Sequence, residues 1–376
     1  MTTSPFAEND TLSQAEIMAA LENLCTRMDA VEVQCGAGFP LYSVGTEDCW
    51  VLSEGGSWVG GFWAGCWWLR ARLAGVASER LKAVQLCERL APKLKADSIH
   101  RAMLFWYGAA PGARWFGNET CAQQTCAAAE ALAASFHPEL QCIPTGTAIG
   151  GGKHGGQHIG IDALAAVIRL LTLREAPRWQ NAARRHTDTV ISTCLTEDGA
   201  CYAEAAHTGR SFTPIGRAGA WSRGQAWAML GLASAARWGE PYAQQARSAC
   251  EYWLRSRPSS MPPDRLDQPQ GIEDPSAALI AAMAMLSLCE HAGETRWRTF
   301  AERQIAAIVR SRYLTKPGNE ADGVPAGIFW GACIRTRPDR HELVESAWGS
   351  FFLMQALAML AGKTDAALSG RSISIF

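Results

Sequence analysis

The sequence predicts an all-α fold, an (α/α)6 barrel in which six inner helices alternate with six outer ones. Three observations carry this. Apolar residues recur at helical spacing along the chain, whereas strict alternation is scarce. Six segments are apolar on nearly every side, as helices surrounded by protein must be. Between them lie more polar, amphipathic stretches with charge on one face. The 376 residues contain no linker-like stretch, so one domain spanning 1–376 is expected.

In chain order, the first outer stretch is 12–31 and the first inner segment is 61–73, opened by a Gly/Trp-rich run. Outer 79–94 precedes inner 100–110, and outer 120–135 precedes inner 161–171. Outer 177–194, with Arg178, Arg184 and Arg185 for its wet face, precedes inner 222–235. Outer 242–255 precedes inner 275–288, and outer 294–309 precedes inner 347–360. This spacing exceeds tetratricopeptide or ankyrin periods and leaves room for loops at one rim. Gly-rich 146–160, the stretch 207–221 and Pro-rich 258–274 each run up to an inner helix, so they are expected to wall a cleft at the inner-helix N-termini.

Composition narrows the function. A formal charge of −1 supplies no basic field for nucleic acid. Residues 1–11 are polar, and no later run offers roughly 18 uncharged apolar residues, so neither secretion nor a membrane partner is expected. The 13 cysteines are odd in number and scattered through Ala-rich helical surroundings, the pattern of free buried thiols in a reducing, cytoplasmic setting. Cys121 and Cys126 have the wrong spacing for zinc. The run from Gly150 to Gly156 fails the phosphate-loop spacing, and His341-Glu342-Leu343-Val344-Glu345 lacks a zincin's second histidine. No metal or other cofactor is expected.

Fifteen tryptophans are far above ordinary usage, and Trp58, Trp63, Trp67, Trp106, Trp221, Trp227 and Trp348 fall in or at the start of inner segments. An indole stacks on the apolar face of a pyranose while its N–H reaches a hydroxyl, so a group of them at a rim suits a carbohydrate. Core packing is the competing reading for each one taken singly.

Four motifs in register add a resemblance. Ser57-Trp58-Val59-Gly60-Gly61-Phe62-Trp63-Ala64-Gly65, Trp221-Ser222-Arg223-Gly224-Gln225-Ala226-Trp227, Glu273-Asp274-Pro275-Ser276-Ala277-Ala278 and Trp348-Gly349 resemble the unsaturated glucuronyl hydrolases, glycoside hydrolase family 88, and their rhamnogalacturonyl relatives in family 105. The resemblance implies hydration of the C4=C5 double bond that a polysaccharide lyase leaves on a uronate, after which the next sugar is released. One aspartate can serve as acid and base in that reaction. Asp162 occupies the family's general acid/base position; by its own sequence it is either that or a helix cap.

The substrate-binding candidates are His100, Arg101, Trp63, Trp221, Arg223, Trp227, His207 and Trp348. Arg223 and Trp227, four apart on a helix, share a face that can grip a sugar acid. The chain departs from the family at two places. His100-Arg101 stands where the family has His-Asp, so Arg101 either pairs with Asp162, clamps a substrate carboxylate or lies at the surface. Phe212 stands where the family has a histidine, with His207 as its substitute. Because the second acid is missing, two alternatives stay open: an enzyme acting on a uronate-like group of a small metabolite, and a non-catalytic sugar-binding protein.

Overall fold

The computed structural model describes residues 11–44, 49–268, 271–293, 295–317 and 324–368. Residues 1–10 of the polar opening and Glu294, expected to begin an outer helix, lie outside the described residues. The chain is mostly helical. Helix α1 (Gln14–Cys35) starts on a capping box in which the Ser13 hydroxyl accepts from the Glu16 amide and the Glu16 carboxylate accepts from that of Ser13. It is followed by α2 (Gly60–Ala74), α3 (Ala77–Leu90), α4 (Arg101–Tyr107), α5 (Ala109–Phe116) and α6 (Glu119–Ala134). Then come α7 (Leu164–Leu171), α8 (Pro177–Cys194), α9 (Ser222–Ala235), α10 (Glu240–Ser256), α11 (Pro275–Ala292), α12 (Arg296–Arg310) and α13 (Ala347–Leu360).

Six of these helices are buried along nearly their whole length, and each touches the next: α2 with α4, α4 with α7, α7 with α9, α9 with α11, α11 with α13, and α13 with α2. Amphipathic helices pack outside them, α3 on α2, α6 on α4 and α7, α8 on α7, α10 on α9, α12 on α11 and α1 on α13. Burial of the apolar stripe is what holds each outer helix. Close packing inside depends on missing side chains. At Gly61 a Cβ would stand 2.6 Å from the Leu104 backbone, so α2 and α4 meet at backbone distance only because that position is glycine.

The middle of the ring is aromatic. Phe62 stacks on Tyr107 at 4.4 Å between ring centroids, and Trp227, Phe351 and Phe352 close around them edge-on or tilted. Each such ring buries about 150–250 Å2, so this cluster is a principal part of the hydrophobic stabilisation and fills the space beneath the rim.

Strands appear that the all-α expectation left out. They are β1 (Phe39–Val44) and β2 (Trp50–Ser53) before α2, β3 (His158–Gly160) before α7, β4 (Glu204–His207) and β5 (Phe212–Ile215) before α9, and β6 (Ala332–Arg337) and β7 (Arg340–Ser346) before α13. Among the described residues these strands pair antiparallel in two sheets, ordered β2-β1-β7-β6 and β3-β4-β5. The strands are short and sit in inter-helix loops, and β1 shows no strict in–out alternation, so period-2 patterning was not available to reveal it. The larger sheet is tied to the helices by a buried ion pair, Arg27 of α1 with Glu345 of β7, at 2.7 Å from Nη2 and 3.0 Å from Nε.

Two inner segments differ from their expected bounds. The α7 helix begins at Leu164 rather than 161, because the Ile161 amide donates to Ala203 O at 3.0 Å and prolongs β3 instead. The segment expected over 100–110 is broken near Gly108, where α4 ends and α5 starts.

Candidate active site

A cavity of about 530 Å3 opens at the N-terminal ends of α4, α7 and α9 and is closed by the stretch before α11 and the β6–β7 hairpin. It is the place the three loop stretches were expected to wall, and residues from all of them line it: Gly150, Gly151 and His158, then Ile215 to Arg217, then Asp264 and Arg265.

Asp162 lies on its wall, in the turn between β3 and α7. Ala163, not Asp162, is the cap residue of α7, and no side-chain cap bond is made there. The carboxylate is 37% exposed, with Oδ2 4.0 Å from Nε2 of His100. His100 also lines the cavity; its Nδ1 lies 3.2 Å from the Ile149 carbonyl and 3.4 Å from the Ser98 hydroxyl, and its Nε2 faces Asp162. A half-exposed carboxylate beside an oriented imidazole can pass a proton to a bound molecule or take one from water.

Trp221 and Arg223 stand across the cavity at the start of α9. The Trp221 indole N–H donates to Asp264 Oδ1 at 3.2 Å. The Arg223 guanidinium is 5.3 Å from the Trp221 ring and 5.7 Å from the Trp348 ring. Its Nη1 pairs with Asp274, and its Nη2 donates to the Cys333 carbonyl at 3.1 Å. Asp274 in turn caps α11, accepting from the Ala277 amide. Arg223 is thus held rigid with its face between two indoles.

The remaining candidates do not line the cavity. Arg101 follows His100 but turns away from Asp162. Its Nε donates to Ser98 O at 3.0 Å, Nη1 to Leu94 O at 3.1 Å, and Nη2 to Ala131 O at 3.2 Å and Ser135 Oγ at 2.5 Å. Those last acceptors belong to the C-terminal turn of α6, where a cation meets the negative end of the helix dipole. The side chain can reach neither Asp162 nor a ligand there, and burial lowers its pKa. Trp63 is buried and donates to Glu32 of α1 at 3.3 Å. Trp227 belongs to the central aromatic cluster, and Trp348 is buried against Trp58. His207, on β4, packs on Phe212. Among the described residues Trp221 is therefore the tryptophan that lines the cavity, and the expected wall of several indoles is instead largely core.

The cavity also has a wall that the motifs did not disclose. Asp264, Cys333 and His341 bring a carboxylate oxygen, a thiol and an imidazole nitrogen within 4.8 Å of one another. Burial, reinforced by the neighbouring Asp274 carboxylate, pushes Asp264 up to about 6 against the pull of Arg223, His341 and the Trp221 N–H. Burial raises the Cys333 thiol to about 12. Arg217, Arg265 and Arg335 add positive charge at the mouth, Arg265 in a two-pronged pair with Asp267. The Pro-rich run before α11 was the one available signal for Asp264; nothing local marks Cys333.

No family model matches the chain. The unsaturated glucuronyl hydrolase of Bacillus sp. strain GL1 is 24% identical over 355 residues, which cover 86% of this chain and 91% of that enzyme. The chain is similar to the unsaturated glucuronyl hydrolases. The solved structure of the Bacillus sp. GL1 enzyme superimposes with a TM-score of 0.80 at 20% identity, over 92% of this chain and 96% of that one. That of the Streptococcus agalactiae enzyme gives 0.81 at 15% identity, over 98% and 100%. A variant of the Streptococcus agalactiae enzyme, complexed with dGlcA-GalNAc6S, gives 0.75 at 15% identity over 96% and 98%. These likenesses establish the fold as that of a helical-barrel glycoside hydrolase.

Proposed function

We propose that the chain forms a single (α/α)6 barrel that hydrates the C4=C5 double bond of an unsaturated glucuronyl unit at the end of an oligosaccharide or glycoside. The observation that carries this reading is the half-exposed Asp162 carboxylate beside Nε2 of His100, on the wall of a cavity that also holds Trp221 and Arg223. In this reading Asp162 donates a proton to C4 and takes one from the water that adds to C5. The hemiketal so formed opens and frees the next sugar. Trp221 offers a ring face, and Arg217 and Arg335 at the mouth favour an anionic sugar over a neutral one.

Because Arg101 is committed to the backbone, the second family carboxylate is not replaced by a cation in the site; it is absent from that wall. A remodelled reaction built on Arg101 therefore finds no support in this geometry. Free cysteines throughout fit a cytoplasmic setting, and among the described residues no helix is long and apolar enough to cross a membrane.

The test pairs a Δ4,5-unsaturated glucuronyl disaccharide with its saturated counterpart. Loss of the enol-ether absorbance with the first and no cleavage of the second is expected. Equal cleavage of both would point to conventional attack at the anomeric carbon, and tight binding without turnover to a sugar-binding protein.

A further inference from the structure

We propose that Asp264, Cys333 and His341 form a binding site for a zinc-class divalent cation in the wall of the cavity, with one coordination position left open to the interior.

Three observations carry it. The three side chains supply one oxygen, one sulfur and one nitrogen ligand within 4.8 Å of each other, a donor set that suits zinc and its thiophilic neighbours rather than magnesium or calcium. Bond lengths of about 2.0–2.3 Å place tetrahedral ligands roughly 3.3–3.8 Å apart. His341 Nδ1 already lies 3.8 Å from Asp264 Oδ2, and His341 is exposed on the hairpin and free to close the rest.

Second, the ligands stand on fixed elements. Cys333 pairs with Leu343, and Arg335 with His341, across β6 and β7, so Cys333 and His341 are diagonal neighbours on one face of a hairpin. Asp264 is fixed through its backbone, accepting from the Ser222 amide at 2.8 Å and donating to Ile272 O at 2.7 Å. The Trp221 indole occupies its Oδ1 and leaves Oδ2 toward His341. Such outer-shell bonds orient metal ligands.

Third, the charge count favours a cation. Asp264 and Asp274 share the buried guanidinium of Arg223, whose fork is directed at Asp274 and the Cys333 carbonyl and so does not occupy the Asp264 oxygens, while Arg265 beside Asp264 is itself paired with Asp267. One negative charge is left over. A divalent ion that displaces the Cys333 thiol proton into solvent, with His341 binding as the neutral imidazole, leaves the group neutral. The exposed Arg335 on the same hairpin face is screened by water.

The experiment titrates the full, chelator-treated and reduced chain with cobalt(II), then displaces it with zinc. One cobalt per chain is expected, with a near-ultraviolet thiolate-to-metal band that zinc abolishes. In Cys333→Ser that band should disappear, and His341→Ala should weaken binding at least about tenfold. His341 is exposed, so its variant reports even if the buried Cys333→Ser substitution impairs folding. Absence of the band in the parent chain, or an unchanged titration in His341→Ala, overturns the assignment. Neither readout depends on turnover, so the site stands or falls apart from the proposed activity.

Discussion

Replacing Arg101 by methionine separates structure from chemistry at a residue the sequence places beside the ligand. The guanidinium donates to Ser98 O, Leu94 O, Ala131 O and Ser135 Oγ and is only 5% exposed. Hydrogen bonds from a charged donor contribute about 1.5–3 kcal/mol each. Three effects reduce the sum. Ser98 O and Ala131 O keep second donors, the Arg101 amide and the Ser135 hydroxyl; the cation pays for its burial, as its lowered pKa shows; and methionine fills most of the apolar volume. A net loss of about 2–4 kcal/mol remains. Urea unfolding followed by tryptophan fluorescence measures it, beside turnover of the unsaturated disaccharide below the unfolding range. The expected outcome is a clearly lower midpoint with kcat/KM within about twofold, since an effect on a transition state requires contact with it. A fall in kcat/KM of more than tenfold with unchanged stability would show that Arg101 reaches the ligand, and the reasoning would fail.

Three further outcomes are expected. Gly61→Ala drives a methyl group into the Leu104 backbone and should cost about 1–3 kcal/mol in urea unfolding, with α2 and α4 forced apart. Glu345→Gln leaves Arg27 buried against a neutral partner and should cost about 3–5 kcal/mol, seen as a lower melting temperature. Burial holds His186 down at about 4, below the ordinary 6.5, so the unfolded chain takes up its proton first as pH falls. Stability from this group is therefore full above pH 6.5 and declines toward pH 4, by roughly 3 kcal/mol. His186→Gln, which can still accept from the Ile143 amide, should show a shallower acid-side decline than the parent chain.

What could be read from the sequence was what local periodicity encodes. The bounds expected for α8, α9 and α13 coincide with those observed, because each is set by nearby residues: Pro177 at one start, Trp221-Ser222 and the Ser346 cap at the others. Asp162, His100, Trp221 and Arg223 do meet in one cavity. The tryptophans misled for a physical reason: an inner helix surrounded by protein buries its indoles whether or not a sugar is near, so Trp63, Trp227 and Trp348 carry the same pattern as a binding residue. Arg101 misled because its partners come from the 3-10 turn before it and the end of α6, which no spacing rule connects. The Asp264, Cys333 and His341 group was invisible because a loop and a hairpin distant in sequence build it.

The central claim is that Asp162 moves the proton. Steady-state kinetics of Asp162→Asn on the unsaturated disaccharide tests it most directly, because asparagine keeps the size but has no acidic proton to give. The account predicts that kcat falls by at least about a thousandfold while KM stays within a fewfold. A kcat within tenfold of the parent enzyme would contradict it.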